Sequence, residues 1–109
     1  DFKSATATSL AIDSGTYTTL YTAPGSKTSI ILEIDIANKH SADITTSVLI
    51  SDSSGSNDAF IVKAAPVPIG GALKVVSGQK IVMETGDVLK AAASVASAAD
   101  AVVSILEDV

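Results

Sequence analysis

Apolar and polar positions alternate through most of this chain, most clearly in the run TSIILEIDIANKHSADITTSVLIS from Thr28 to Ser51. Ile30, Leu32, Ile34 and Ile36 would share one face of an extended strand, with Glu33 and Asp35 on the other. After the polar break Asn38-Lys39-His40-Ser41, the residues Ile44, Thr46, Val48 and Ile50 resume the beat. Successive side chains point to opposite faces of a strand, so a period of two marks a half-buried strand. Two such runs around a short polar turn predict a hairpin.

The same reading extends to both sides. Residues 1–9 are small and polar apart from Phe2, and read as an extended arm rather than core, with the domain proper over 10–109. Tyr17–Thr22 is β-branched and aromatic, which suits a strand. Ala23-Pro24-Gly25-Ser26 predicts a type II turn, with proline setting φ and Gly25 taking a positive φ. Ser51–Asn57 reads as a loop. Ala59–Ala64 reads as a strand stopped by Pro66-Val67-Pro68, and Gly70-Gly71 and Ser77-Gly78 read as turns. Lys80–Glu84 alternates as a strand up to the tight turn Thr85-Gly86-Asp87. Turn signals at such short intervals predict a sandwich or barrel.

The alanine-rich end is the ambiguous part. Propensity favours a helix over residues 88–109. The β-branched Val88, Val95, Val102, Val103 and Ile105 favour two strands, Val88–Val95 and Ala101–Leu106, joined by Ala96–Asp100. An all-β context decides for strands, whose small residues would let two sheets or two subunits approach closely. The expected fold is all-β: one antiparallel β-sandwich of about eight strands, jelly-roll-like or immunoglobulin-like.

Composition narrows the chemistry. The chain has 109 residues, enough for one self-sufficient core, and no cysteine for disulfides or thiolate metal sites. No apolar run is long enough to span a bilayer, and the first nine residues lack the apolar core of a signal peptide. Net charge is −5, and the lysines are spread evenly with no arginine, so the electrostatic footprint of a nucleic-acid binder is missing. Without arginine or tryptophan, partner contacts would rest on aliphatic residues, the tyrosines or backbone pairing.

Catalytic chemistry finds little support. His40, the one histidine, falls in a solvated turn, and no G-x-S-x-G elbow accompanies it. The oxygen-rich Asp52–Asp58 lacks the carboxylate spacing of a calcium loop, and Gly70-Gly71 lacks the context of a phosphate loop. Carbohydrate sites need aromatic platforms, and only Phe2, Phe60, Tyr17 and Tyr21 could supply one. The expectation is a non-enzyme without cofactor or metal. Its candidate partner-contact residues are Phe2, Lys3, Tyr17, Tyr21, Glu33, Asp35, Lys39 and His40.

Three segments carry a family resemblance: TTLYTAPGSKTSIILEIDIAN, AFIVKAAPVPIGGALKVV and QKIVMETGDVLKAAASVASAADAVVSILE. Together they run from about Thr18 to Glu107, nearly the whole chain. Their LYTAP opening, P-x-P-x-G corner and GD turn resemble small virion proteins of tailed bacteriophages. The match lies in structural residues, so no catalytic residue is carried over. The resemblance implies a virion structural component, foremost a capsid decoration or cement protein bound to the major capsid protein. A neck-, tail- or fibre-associated protein is the alternative within that class. It also implies a homo-oligomer, a trimer or higher, located in the phage particle and, before assembly, in the cytoplasm of the infected bacterium. A module binding host-surface carbohydrate or protein through loops 38–42 and 51–58 is the alternative of another class.

Overall fold

The computed structural model describes residues 2–14, 17–26, 28–52 and 57–107, the side chains of 76–79 excepted. Eight strands and no helix occur among them: β1 (Phe2–Ala7), β2 (Thr18–Thr22), β3 (Ser29–Asn38), β4 (Ile44–Asp52), β5 (Asn57–Val67), β6 (Ala72–Met83), β7 (Val88–Ala93) and β8 (Ala99–Glu107). Sheet A runs β1-β8-β3-β6 and sheet B runs β2-β7-β4-β5, with every strand pair antiparallel. The pairs β1·β8, β2·β7, β3·β6 and β4·β5 are those of one long hairpin folded at β4–β5. Rolling that hairpin brings β8 beside β3 and β7 beside β4, which is the jelly-roll order rather than the immunoglobulin one.

This order corrects the expected hairpin. β3 and β4 lie in different sheets, and their aliphatic sides meet across the core instead of lying side by side. Periodicity records which face is buried, and a hairpin and a sheet-to-sheet crossover bury the same face. The phase of β3 also changes. Ile31, Ile34 and Ile36 are buried, whereas Ile30 and Leu32 are only half-buried. The pairing with β6 skips Leu32 against residues 78–80, and such a bulge moves the residues before it to the other face. The turn expected at Ser77-Gly78 is therefore absorbed into this bulge, and β6 runs on through it.

Three further expectations shift. Residues 2–7, read as an arm, form the edge strand β1 of the chain's own sheet. Its alternation is too poor in large apolar groups to announce a strand, and none of its side chains is buried. β5 continues through Pro66, opposite Thr45; a sheet edge tolerates the missing N–H, and β5 is an edge. The left-handed residue after Pro24 is Ser26 (φ 59°), so the predicted type II role of Gly25 is not used. The Gly70-Gly71 and Gly86 turns form as expected, with Gly70 and Gly86 at positive φ. A Cβ on Gly71 would come within 2.9 Å of Pro68, so that corner excludes larger residues. Residues 53–56 of the expected loop lie outside the described residues, while Ser51 and Asp52 belong to β4 and Asn57 to β5.

The alanine-rich segment forms β7 and β8 with a turn between them, as the β-branched residues predict. Ala91, Ala93, Ala98, Ala99 and Ala101 are buried in the inter-sheet core beside Leu89, Val103 and Ile105. Small side chains there let the sheets close without a gap, which overrides their helix propensity.

Polar clasps close both ends of the sandwich. At one end Tyr21 of sheet B donates to the buried Glu107 carboxylate of sheet A and shares a 2.9 Å hydrogen bond with Ser29, while Lys3 pairs with Glu107 at 3.2 Å. At the other end the Asn38 amide donates to the carbonyls of Ala42, Val67 and Pro68, fixing the connection into β4. Buried polar groups are tolerated when satisfied in this way.

Candidate functional site

The two sheets present outer faces of different character. On sheet A, Phe2 lies opposite Leu106, Leu106 opposite Ile30, and Ile30 opposite Val82. Ile30 and Leu106 alternate with buried neighbours, so their side chains point outward, and they are half-buried. Phe2 is 79% exposed and Val82 60% exposed. The result is an apolar band across all four strands, about 15 Å wide at the usual strand spacing. Further along the same face lie Glu33 and Asp35, and Lys74 stands 3.8 and 3.5 Å from their carboxylates. The hydrogen bond to Asp35, and then its charge, raise the Glu33 carboxyl above its ordinary range; Lys74 opposes that shift.

Sheet B's outer face carries a cleft of about 340 Å³. Its floor follows the register: Lys90 of β7 lies opposite Leu49 of β4, and Leu49 opposite Phe60 of β5. Leu49 belongs to the outer side, because its neighbour Val48 enters the core, yet only 5% of it reaches solvent. Residues 11–14 and Tyr17 provide the cover. Asp13 docks by its N–H on the Ala93 carbonyl (2.8 Å). Its carboxylate then accepts from the Tyr17 hydroxyl (2.5 Å) and from Ser47 (3.2 Å), with Lys63 at 3.9 Å. Tyr17 meets Phe60 edge-on at 6.3 Å, and the Lys63 ammonium stands 4.5 Å from the Phe60 ring centre.

These contacts restrain both aromatic rings. Burial, followed by the hydrogen bond and charge of Asp13, pushes the Tyr17 hydroxyl up to about 12, so it remains a protonated donor at neutral pH. Asp58 and Lys90 complete the lining. Such a cleft, with an apolar floor and a few fixed polar groups, has the form of a small-molecule or side-chain pocket.

The eight candidate contact residues separate into four places. Phe2, Glu33 and Asp35 share the outer face of sheet A, and Lys3 and Tyr21 are tied up in the Glu107 clasp. Lys39 belongs to the opposite end, paired with Asp100 at 2.9 Å and donating to Ser9. His40 follows it in the bend, where its N–H donates to Asn38. Tyr17 alone reaches the cleft. Its companions Asp13, Leu49, Phe60, Lys63 and Lys90 were missed, because the spacing that joins them exists only once β4, β5 and β7 are paired. Among the described residues no group of three or more His, Asp or Glu is placed to hold a metal ion. No family model, curated protein or solved structure matches the chain.

Proposed function

We propose that this chain is a structural component of a tailed-phage virion, foremost a capsid decoration or cement protein. It docks on the coat through the outer face of sheet A. The observation that carries this reading is the apolar band Phe2–Leu106–Ile30–Val82, in register across a four-stranded sheet. A contiguous apolar strip on the outside of a sandwich is a contact surface in search of cover. The sheet behind it is held by the Lys3–Glu107 and Tyr21–Glu107 contacts, so the band is presented on a rigid support. One such band is a weak interface by itself; repetition over a lattice multiplies it. The family resemblance of residues 18–107 points to the same setting.

The test removes the protein from the particle. Virions lacking it should release DNA at a lower temperature, and adding the purified chain back should restore resistance. A chain carrying Phe2→Ser and Val82→Ser should bind stripped capsids at least about tenfold more weakly, for the loss of two exposed apolar anchors. Unchanged thermal release without the protein would count against the cement role. Copy number separates head from neck or tail, since a coat lattice takes on the order of hundreds of copies and a closed ring only a few.

A further inference from the structure

We infer that the cleft on the outer face of sheet B is a binding site for a neutral hexopyranose, met as a free sugar or as a unit of a glycan. The inference rests on the cleft alone and not on the docking of sheet A.

Charge balance selects the ligand class first. The lining holds two carboxylates, Asp13 and Asp58, and two ammonium groups, Lys63 and Lys90. An anion would meet the carboxylates and a cation the lysines, so a neutral molecule is favoured. Asp13 and Lys63 are already engaged, with Tyr17, Ser47, Phe60 and each other. Among the described residues, the side chains of Asp58 and Lys90 have no hydrogen-bond or ion-pair partner. A carboxylate only accepts hydrogen bonds and an ammonium only donates them. They stand on β5 and β7, two strand spacings or roughly 10 Å apart, with β4 between them.

A purely apolar ligand would cover Leu49 and Phe60 but strip water from both free charges without replacing it. A sugar ring meets both demands. Its hydroxyls donate to Asp58 and accept from Lys90, and its C–H face lies against Leu49 and the Phe60–Tyr17 pair. The cleft volume stands at the lower end of small-molecule sites, which suits one ring with its hydroxyl shell. Tyr17 and Phe60 are restrained by Asp13 and Lys63, so binding has less to order.

The site is tested by NMR titration of the full chain with glucose, galactose, mannose and N-acetylglucosamine up to about 0.1 M, which covers affinities down to the tens of millimolar. Sorbitol and inorganic phosphate serve as an acyclic polyol and an anion. At least one pyranose should give saturable shifts at the Leu49 methyls and the Phe60 ring, and sorbitol and phosphate should not. Asp58→Ala and Lys90→Met alter rim groups, so each should leave the folded spectrum intact while weakening binding about tenfold. Phe2→Ser with Val82→Ser, on the opposite face, should leave sugar binding unchanged. Absence of saturation by every pyranose, saturation by phosphate instead, or full binding in both rim variants would overturn the inference.

Discussion

Sheet A and sheet B bury their inner faces in the same way and treat their outer faces in opposite ways. On sheet A the outward Phe2 and Val82 meet solvent directly. On sheet B the outward Leu49, Ser47 and Ala92 are buried, although they point away from the core. Asp13 and Tyr17 on one side and Phe60 on the other make the difference. Burial and core membership are thus separate properties here. A side chain on the solvent side of a sheet can be as protected as a core residue when a neighbouring segment roofs it. The roof leaves a shaped cleft, and the bare sheet leaves a flat band, so the two faces suit partners of different size.

The largest expected effect breaks this contrast most directly. Leu49→Ala should destabilise the fold by about 2–4 kcal/mol, as for a buried leucine. Val82→Ala should stay within about 0.5 kcal/mol, as at exposed positions. Urea denaturation of the two variants measures both, and equal costs would mean that the roof does not protect Leu49. A smaller loss, about 1–3 kcal/mol, is expected from Asp13→Ala, because it leaves the partly buried Tyr17 and Ser47 hydroxyls without their shared acceptor.

The same variant should return the Tyr17 hydroxyl from about 12 towards its ordinary value of 10.0. Absorbance titration of the phenolate would follow this, with Tyr17→Phe isolating Tyr21, whose hydroxyl burial and Glu107 also raise. Because the folded value of Tyr17 lies above the unfolded one, its contribution to stability is complete below about pH 10 and disappears as pH rises towards about 12. The strands of the bare face carry no tyrosine of their own. The mark of that face is acidic and slight: Asp35→Asn should bring the Glu33 carboxyl down towards its usual range. Carboxyl NMR would detect that change with no measurable change in unfolding midpoint.

How much of this was legible in the sequence depends on the kind of contact. The all-β class, the two strands of the alanine-rich end and the buried side of β4 could all be read, since each is a local alternation of residue types. The hairpin reading of Ile30–Ile50 failed because two strands with matching phase serve equally well as neighbours or as opposite walls of a core. The phase of Ile30 and Leu32 failed because a bulge needs a partner strand to define it. The cleft was hidden for the same reason: Phe60, Leu49 and Lys90 become neighbours only through the β5·β4·β7 register. The signal available beforehand was modest. Phe60 and Tyr17 are half of the chain's four aromatic residues, and each has a charged residue three or four positions away, Lys63 and Asp13.

The nested pairing of strands also has a consequence in time. Only β4 and β5 are both consecutive and paired, so theirs is the one pairing that closes a short loop. Each further pair, β3·β6, β2·β7 and β1·β8, encloses the ones before it, and β1 must find β8 from the far end of the chain. Ordering so much chain before its contacts form is slow, and such topologies fold in about milliseconds to seconds. The apolar band, which needs β1, β8, β3 and β6 all in place, is therefore assembled only when the outermost pair closes. A chain caught short of that step would present an unpaired β8 edge in place of the finished band.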